Sequence, residues 1–257
     1  MPTLHITVGA PSSGKSTWAK SQGLPIVSVD DVKKEMKDSG ENYNNEKIFS
    51  TARERVCAIL SNNKDVIYDS INMGYRNRKA IISAARKLRG IDVKIVAHVF
   101  VVPINVLYDR SIERKEQIHV DTIDDALSLF QPPCKWERID EVIYHRAEAE
   151  ETLSELLVKQ EDVFFNARAS ELCVKRSLAE ACMYLDVGHG KRNRGHAGRG
   201  AYMYLAAGGT PENAALIAYH ELPEDMDAYD KMRKVMPIDF TYDLDLVHEA
   251  DVRSRFV

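Results

Sequence analysis

Short apolar runs alternate with helical patterns along the first part of the chain. Runs rich in β-branched residues, typical of buried strands, cover 4–8, 25–29, 66–68 and 93–101, and a weaker fifth candidate covers 142–144. Helical stretches follow residue 14 and occupy 31–37, 46–60, 76–88 and 104–116. This alternation predicts an α/β fold in which helices cover both faces of a mainly parallel sheet.

The pattern changes beyond about residue 148, where strand signals almost vanish. Helical patterns remain at 147–160, 163–184, 201–207 and 211–221. Further upstream, Gln131-Pro132-Pro133 interrupts the helical pattern of 123–130, because proline cannot continue a helix. The sequence therefore predicts two domains, an α/β domain over 1–148 and an all-helical domain over 149–257.

Composition narrows the class of protein. The 257 residues carry a net charge of −4, so any binding of nucleic acid must use a local basic patch and not the overall charge. The four cysteines (Cys57, Cys134, Cys173 and Cys182) contain no C-x-x-C pair, which argues against a zinc knuckle or a disulfide scaffold. Neither a membrane-spanning run nor a signal-peptide pattern is recognisable. We therefore expect a cytoplasmic protein with no membrane partner.

The strongest local motif follows the first apolar run. Residues 9–17 read Gly-Ala-Pro-Ser-Ser-Gly-Lys-Ser-Thr and satisfy the pattern G-x-x-x-x-G-K-[ST] in full. A glycine-rich turn that leads into a helix directs backbone N–H groups toward an anion, here a nucleoside triphosphate. Lys15 is expected to reach its β- and γ-phosphates, and Ser16 to hold Mg²⁺. The residues predicted to bind the nucleotide here are Gly9, Ser12, Ser13, Gly14, Lys15, Ser16 and Thr17.

Polar residues follow the second and third strand candidates. Asp30 and Asp31 come after the second, and 69–72 (Asp-Ser-Ile-Asn) after the third. Because ligands bind at the carboxyl ends of parallel strands, these side chains are expected to meet the phosphates. We expect one of the adjacent aspartates to cap a helix, and Asp30 to accept the proton of an attacking hydroxyl. Asp69 is expected to support the metal or to orient an arginine.

Basic residues complete this first group. Arg110 and Arg114 are spaced one helical turn apart, and we expect them to clamp phosphates, with neutralisation by neighbouring acidic residues as the alternative. Arg76 and Arg78 either hold a substrate phosphate or simply lie at the start of a helix without a functional role. Asn72 is a further candidate for substrate binding.

In order and spacing, these residues resemble the kinase domain of phage-type polynucleotide 5′-kinases over nearly all of 1–145. The resemblance is carried by 14–19, 27–31, 69–72, Arg76, Arg78, 100–103, Arg110 and Arg114. It implies that ATP is the phosphate donor, that Asp30 is the general base, that Arg114 clamps the donor phosphates and that Asp69 supports the site.

Two departures from this family concern the acceptor. Lys33 stands where the family has a substrate-phosphate arginine; it lacks the bidentate guanidinium fork but can bind phosphate as a point charge, and we expect it to hold a substrate phosphate. Val29 stands where the family has an arginine just before the base. The expected acceptor is a 5′-hydroxyl end of DNA or RNA. Since related phage kinases phosphorylate 5-hydroxymethyluracil in DNA, that modified base is an alternative acceptor, as is a free nucleoside.

The last hundred residues resemble the HD phosphohydrolase domain, especially the version attached to bacterial tRNA nucleotidyltransferases. The resemblance is carried by 184–188, 195–201, 219–221 and 250–255. Such domains bind a divalent metal through a histidine, a His-Asp pair and a distal aspartate. Asn166 and Leu185 stand at two of the histidine positions, whereas Asp186, His189, His196, His220 and Asp251 remain. We therefore expect a retained fold without the chemistry, with His196 and His220 buried and hydrogen-bonded; an active metal phosphohydrolase is the alternative.

A basic cluster lies inside this second region. The loop 191–194 (Lys-Arg-Asn-Arg), together with Arg199, either contacts a phosphate backbone or is simply solvated. The helical domain is accordingly expected to serve as a platform for nucleic-acid binding or for homo-oligomerisation.

Overall fold

The computed structural model describes residues 1–40, 42–114, 118–147, 151–159, 163–189 and 195–256. Five strands form one sheet: β1 (Thr3–Val8), β2 (Ile26–Ser28), β3 (Val66–Asp69), β4 (Lys94–Val101) and β5 (Glu141–Arg146). Each of the five strand candidates is therefore present, and the weaker fifth one extends further in both directions than its apolar run.

The sheet has the strand order β2-β3-β1-β4-β5. β1 pairs in parallel with both β3 and β4, and β2 pairs in parallel with β3, where Ser28 lies opposite Asp69. Parallel strands bring their carboxyl ends to one edge of the sheet. The residues that follow β1, β2 and β3 are thus neighbours, as the sequence predicts.

Four helices belong with the strands to a first compact unit, formed by residues 1–100 and 133–145. They are α1 (Lys15–Ser21), α2 (Val29–Asp38), α3 (Asn45–Ser61) and α4 (Tyr75–Arg86). The buried residues of α3 recur every four positions, which gives one apolar stripe for the core. β4 is buried at seven of its eight positions, as expected for a strand covered on both faces. The first unit therefore has the α/β fold, with helices packed on a mainly parallel sheet, that the alternating pattern predicts.

A second compact unit comprises residues 101–132 and 146–257. Its helices are α5 (Ile104–Glu113), α6 (Val120–Ser128), α7 (Leu153–Lys159), α8 (Val163–Leu172), α9 (Ala179–Met183), α10 (His196–Ala206), α11 (Pro211–Tyr219), α12 (Met226–Arg233) and α13 (Ile238–Ser254). Beyond residue 147, the described part of the chain contains helices and turns and no strand. Among all described residues, no helix is both long and apolar enough to cross a bilayer.

The placement of 101–132 differs from the predicted division. This segment carries α5 and α6, and it groups with the C-terminal helices. The reason is a close approach of α6 and α10: a Cβ on Gly198 would lie 2.5 Å from the carbonyl oxygen of Ser128, so only glycine fits. Phe130 also packs edge-on against Tyr202, with ring centroids 5.3 Å apart. A domain boundary at 148 stays a prediction.

Candidate active site

The loop between β1 and α1 has the backbone conformation of an anion cradle. Ser12 and Gly14 adopt left-handed φ angles of +66° and +94°, and alternation of this kind lets successive N–H groups face one side of a turn. Gly9 is required by packing, because a Cβ there would lie 2.8 Å from Ser13 Oγ and 3.1 Å from the backbone oxygen of Phe100. Close packing therefore requires glycine at position 9, and the left-handed backbone favours glycine at position 14.

The ammonium group of Lys15 rests on this loop. Its Nζ donates a hydrogen bond to the carbonyl oxygen of Ala10 at 2.8 Å and lies 3.5 Å from Ser13 Oγ, and the side chain is buried. The hydroxyl oxygen of Ser12 is also buried and has no hydrogen-bond partner among the described residues. The loop therefore carries the Lys15 ammonium and the Ser12 hydroxyl. Thr17, also predicted to bind the nucleotide, is exposed in the first turn of α1.

Ser16 and Asp69 form the most specific contact of the site. The Ser16 hydroxyl donates to Oδ2 of Asp69 at 2.7 Å, and the Thr7 hydroxyl lies 2.9 Å from Oδ1 of the same carboxylate. Asp69 is only 7 % exposed. A hydroxyl and a carboxylate supply the oxygen ligands that Mg²⁺ prefers, so this pair fits the predicted metal site. Thr7 is not among the residues that the sequence predicts for the site; the one signal for it is a hydroxyl next to the last residue of β1.

Asp30 lies in the first turn of α2, two residues beyond the end of β2, and is exposed. The expectation that Asp30 or Asp31 caps this helix is wrong. The cap is Ser28, whose hydroxyl oxygen accepts the backbone N–H of Asp31 at 3.3 Å. Since Ser28 also pairs with Asp69 in the sheet, Asp30 stands at the same edge as the metal candidate without a capping role.

The segment after β3 is held in place from inside the first unit. Asn72 has a left-handed φ of +47°, is buried, and donates from Nδ2 to the carbonyl oxygen of Thr7 at 2.9 Å. Arg78 is fully buried; it donates to the carbonyl oxygens of Asn72 and Met73 at 2.9 Å each and forms a bidentate pair with Glu137 at 2.7 and 2.8 Å. The structure therefore does not support the predicted contact of Arg78 with a substrate phosphate, because the guanidinium is enclosed by protein; its role is to position the segment.

The remaining basic candidates are exposed. Lys33 lies one turn after Asp30 on α2, and Arg76 lies in the first turn of α4. Arg110 and Arg114 belong to the second unit, where α5 ends at Glu113 and Arg114 follows it with an extended backbone. The two arginines therefore do not share a helix face as expected, and their roles at the phosphates stay predictions.

The C-terminal residues of interest are brought together inside the second unit. Asp186, His196 and His220 are buried, and their ligand atoms lie within 4.8 Å of one another. Asn166 and Leu185, which the HD resemblance assigns to two histidine positions, are fully buried. His196 and His220 are thus buried and in contact, as expected. Of the predicted basic cluster, 191–194 lies outside the described residues, and Arg199 is neutralised by Asp124 at 2.6 Å.

A parallel sheet, a Gly-rich loop with its lysine, and a serine–aspartate pair at adjacent strand ends define a P-loop NTPase-type domain. The family model of the AAA domain AAA_33 matches residues 4–133, half of the chain, and the chain belongs to this family. Membership implies the binding of ATP, usually with Mg²⁺. No curated protein matches the chain.

Several solved structures are similar to part of the chain. A gluconokinase from Sinorhizobium meliloti 1021 is 14% identical, with a TM-score of 0.39 over 56% of this chain and 81% of that chain. Chaetomium thermophilum Kti12 in complex with ADP-AlF3 is 18% identical, with a TM-score of 0.41 over 58% and 91%. A chain of the Pnkp1/Rnl/Hen1 RNA repair complex is 27% identical, with a TM-score of 0.43 over 50% of this chain and 43% of that chain.

Proposed function

We propose that the protein is an ATP-dependent phosphotransferase whose acceptor is a hydroxyl of nucleic acid, a 5′-hydroxyl end in the first instance. The observation that carries the proposal is the Ser16–Asp69 hydrogen bond of 2.7 Å beside the Lys15 loop, with the exposed carboxylate of Asp30 at the neighbouring strand end. This combination provides donor binding and a proton acceptor at one edge of the sheet, which is what phosphoryl transfer requires.

The donor side is supplied by the loop and by two oxygen-bearing side chains. Backbone N–H groups of 12–14 and the Lys15 ammonium bind the phosphates of ATP and offset their negative charge. Ser16 Oγ and the Asp69 carboxylate would hold Mg²⁺, with Thr7 fixing the carboxylate from its other oxygen. When bound, Mg²⁺ neutralises charge that develops on the transferred group.

The acceptor side depends on Asp30. Its carboxylate takes the proton of the acceptor hydroxyl as the oxygen forms a bond to the γ-phosphorus, and the bond from that phosphorus to the bridging oxygen of ADP breaks. Lys33, one turn later on α2, and Arg76, at the start of α4, are exposed cations suited to the phosphates of a polynucleotide. The resemblance to polynucleotide 5′-kinases supports this choice of acceptor.

The test is transfer of labelled γ-phosphate from ATP, with Mg²⁺, to four acceptors supplied separately. These are 5′-hydroxyl DNA, 5′-hydroxyl RNA, duplex DNA that contains 5-hydroxymethyluracil, and free nucleosides. Digestion of each product then locates the label. We expect label at the 5′ terminus of a polynucleotide.

Other outcomes would change the proposal in defined ways. Label on an internal modified base would keep the site chemistry and replace end phosphorylation by base modification. Label on nucleosides, without preference for longer acceptors, would make the protein a small-molecule kinase. Absence of transfer to all four would contradict the proposal.

A further inference from the structure

A second group of chemically competent side chains lies in the helical unit and has no part in the proposed kinase reaction. Asp186 precedes α10, His196 begins it, and His220 follows α11, so three separate segments converge. All three residues are buried, at 1 %, 7 % and 2 % exposure. Burial of a carboxylate and two imidazoles at one point is costly unless something pairs with them.

Two of the three separations between ligand atoms match one coordination sphere. Nε2 of His196 lies 3.3 Å from Nε2 of His220 and 3.5 Å from Oδ1 of Asp186. Two ligand atoms bound at roughly 2.0–2.1 Å to one tetrahedral ion are about 3.3 Å apart. The two separations from His196 Nε2 therefore suit a single metal ion, and the ligand atoms of His220 and Asp186 lie within 4.8 Å of each other.

A hydrogen bond to His220 and a carboxylate near His196 lie on the outer side of the cluster and direct the ligand atoms inward. Nδ1 of His220 lies 2.7 Å from the carbonyl oxygen of Ile217, and a carbonyl can only accept, so Nδ1 carries the proton. The lone pair of neutral His220 is thereby on Nε2, toward His196. Nδ1 of His196 lies 3.7 Å from Glu221, a carboxylate of the kind that orients metal-bound histidines.

Asp186 presents one oxygen to the same point. Its Oδ2 is contacted by Arg255 at 3.1 Å, whereas Oδ1 is buried and has no hydrogen-bond partner among the described residues. Burial raises the pKa of this carboxyl and lowers that of His220. Nε2 of His189 also lies 3.4 Å from Oδ1 and adds a further nitrogen near the cluster.

We propose that Asp186, His196 and His220 bind one divalent first-row transition-metal ion, with Zn²⁺ as the reference case. The ligand set is two imidazole nitrogens and one carboxylate oxygen, which suits such ions and leaves a coordination position open for water or a ligand. It differs from the set that the HD resemblance implies, since Asn166 and Leu185 contribute nothing. The proposal therefore departs from the expectation of a core without metal chemistry, which stays the alternative that the experiment below tests.

The test uses the untagged full-length protein, stripped of metal by a chelator and titrated with Zn²⁺ in a calorimeter and with Co²⁺ in a spectrophotometer. We expect one equivalent to bind, with visible Co²⁺ absorption and without the near-ultraviolet bands of thiolate ligation. His220→Asn keeps a side-chain N–H for the Ile217 carbonyl and removes Nε2. Its affinity is expected to fall by more than the roughly 10–100-fold that loss of an outer hydrogen-bond partner costs.

His248→Asn is the matched control. His248 also directs Nδ1 to a backbone carbonyl, that of His220 at 3.2 Å, and its ring nitrogens are not part of the cluster. Affinity in this variant is expected to stay at the wild-type value. Asp30→Asn in the other unit should bind the same single equivalent, so failure of the kinase proposal would leave this result unchanged.

Three outcomes would overturn the proposal: no binding by the wild-type protein, equal affinity in His220→Asn and wild type, or thiolate bands in the Co²⁺ complex. Circular dichroism of the metal-free variants checks folding. If His220→Asn is not folded, Asp186→Asn is judged by the same criteria, and unchanged affinity there is equally decisive against the site.

Discussion

Asp30 is a carboxylate that its own helix does not require, because Ser28 caps α2. Replacement of Asp30 by Asn keeps the side-chain shape and removes the proton acceptor. We expect the rate of phosphoryl transfer to fall by about 10²–10⁴-fold, the usual contribution of a general base, with an unchanged dissociation constant for ATP. Single-turnover transfer and equilibrium nucleotide binding measure the two quantities.

Asp31→Asn is the control for this substitution, since Asp31 is the adjacent exposed carboxylate in the same helical turn. Its transfer rate is expected to match the wild-type rate. Equal losses in the two variants would mean that charge at the start of α2, and not proton transfer, is what matters.

Thr7 acts on Asp69 and not on the substrate, so its removal should affect metal binding first. Thr7→Val keeps the volume and leaves Oδ1 of Asp69 without its donor at 2.9 Å. We expect the Mg²⁺ concentration for half-maximal activity to rise several-fold, while activity at saturating Mg²⁺ recovers most of the wild-type value. Recovery at high Mg²⁺ distinguishes a positioning role from a general loss of structure.

Among individual site residues, the sequence predicts those that belong to a motif of adjacent residues. Lys15 and Ser16 follow from an unbroken nine-residue motif, and the loop conformation at Gly14 agrees with it. The burial of Arg78 could not be predicted, because its partner Glu137 is 59 positions away and only the fold brings the two together. The roles assigned to the site residues stay predictions until they are measured.

At the scale of elements, the Arg78–Glu137 pair joins α4 to the segment before β5 with both side chains fully buried. Arg78→Met leaves a buried carboxylate without its cation, and we expect the free energy of unfolding to fall by about 3–5 kcal/mol. Urea denaturation of Arg78→Met, Glu137→Leu and the double variant measures the coupling. The double variant should lose much less than the sum of the two; simple additivity would show that the pair does not act as a unit.

Three histidines on adjacent strands of the sheet give the fold a pH dependence. His98 of β4 contacts His5 of β1 and His145 of β5, each with nitrogens 3.0 Å apart. Burial, reinforced by the two neighbouring imidazoles, lowers the pKa of His98 from 6.5 to about 4. The unfolded chain therefore takes up a proton that the folded protein does not, and stability falls as the pH drops from about 6.5 to 4.

Urea unfolding of wild type and His98→Asn across this range measures the contribution, which appears as the difference between the two curves. We expect the wild type to lose more stability toward low pH than the variant, and the two to run parallel above pH 6.5. His119→Asn, with a 78 % exposed side chain, should show no such difference. Parallel curves for His98→Asn down to pH 4 would contradict the assignment.

The sequence predicts well which segments form strands and helices. It predicts less well the residues at which these elements begin and end. The apolar runs predict all five strands. For β3 and β4 the reason is that a strand buried on both faces needs little beyond apolar side chains. The predicted helix over 163–184 is instead two helices, α8 and α9, separated by residues that include an extended Lys175. Helix ends depend on caps and on packing partners, which a periodic pattern does not contain.

For the whole molecule, a net charge of −4 means that a polynucleotide must be held by local cations. We expect the KM for a 5′-hydroxyl oligonucleotide to rise with salt, and Arg76→Ala to lower the slope of log KM against log salt by about one. Arg89→Ala, an exposed arginine beyond the other end of α4, should leave the slope unchanged. An equal effect of both variants would mean that only overall charge is sensed.

The grouping of residues 1–100 with 133–145 also bears on how the protein is made. A chain that emerges from the ribosome presents the P-loop, Asp30 and Asp69 long before Glu137 and β5, which complete the core around Arg78. Until they arrive, the Arg78 guanidinium has no carboxylate to enter the interior with, and the Asn72 segment lacks its anchor. The phosphate-binding unit can therefore mature only after α5 and α6 have been synthesised, which makes translation pauses between residues 100 and 133 a vulnerable interval for this protein.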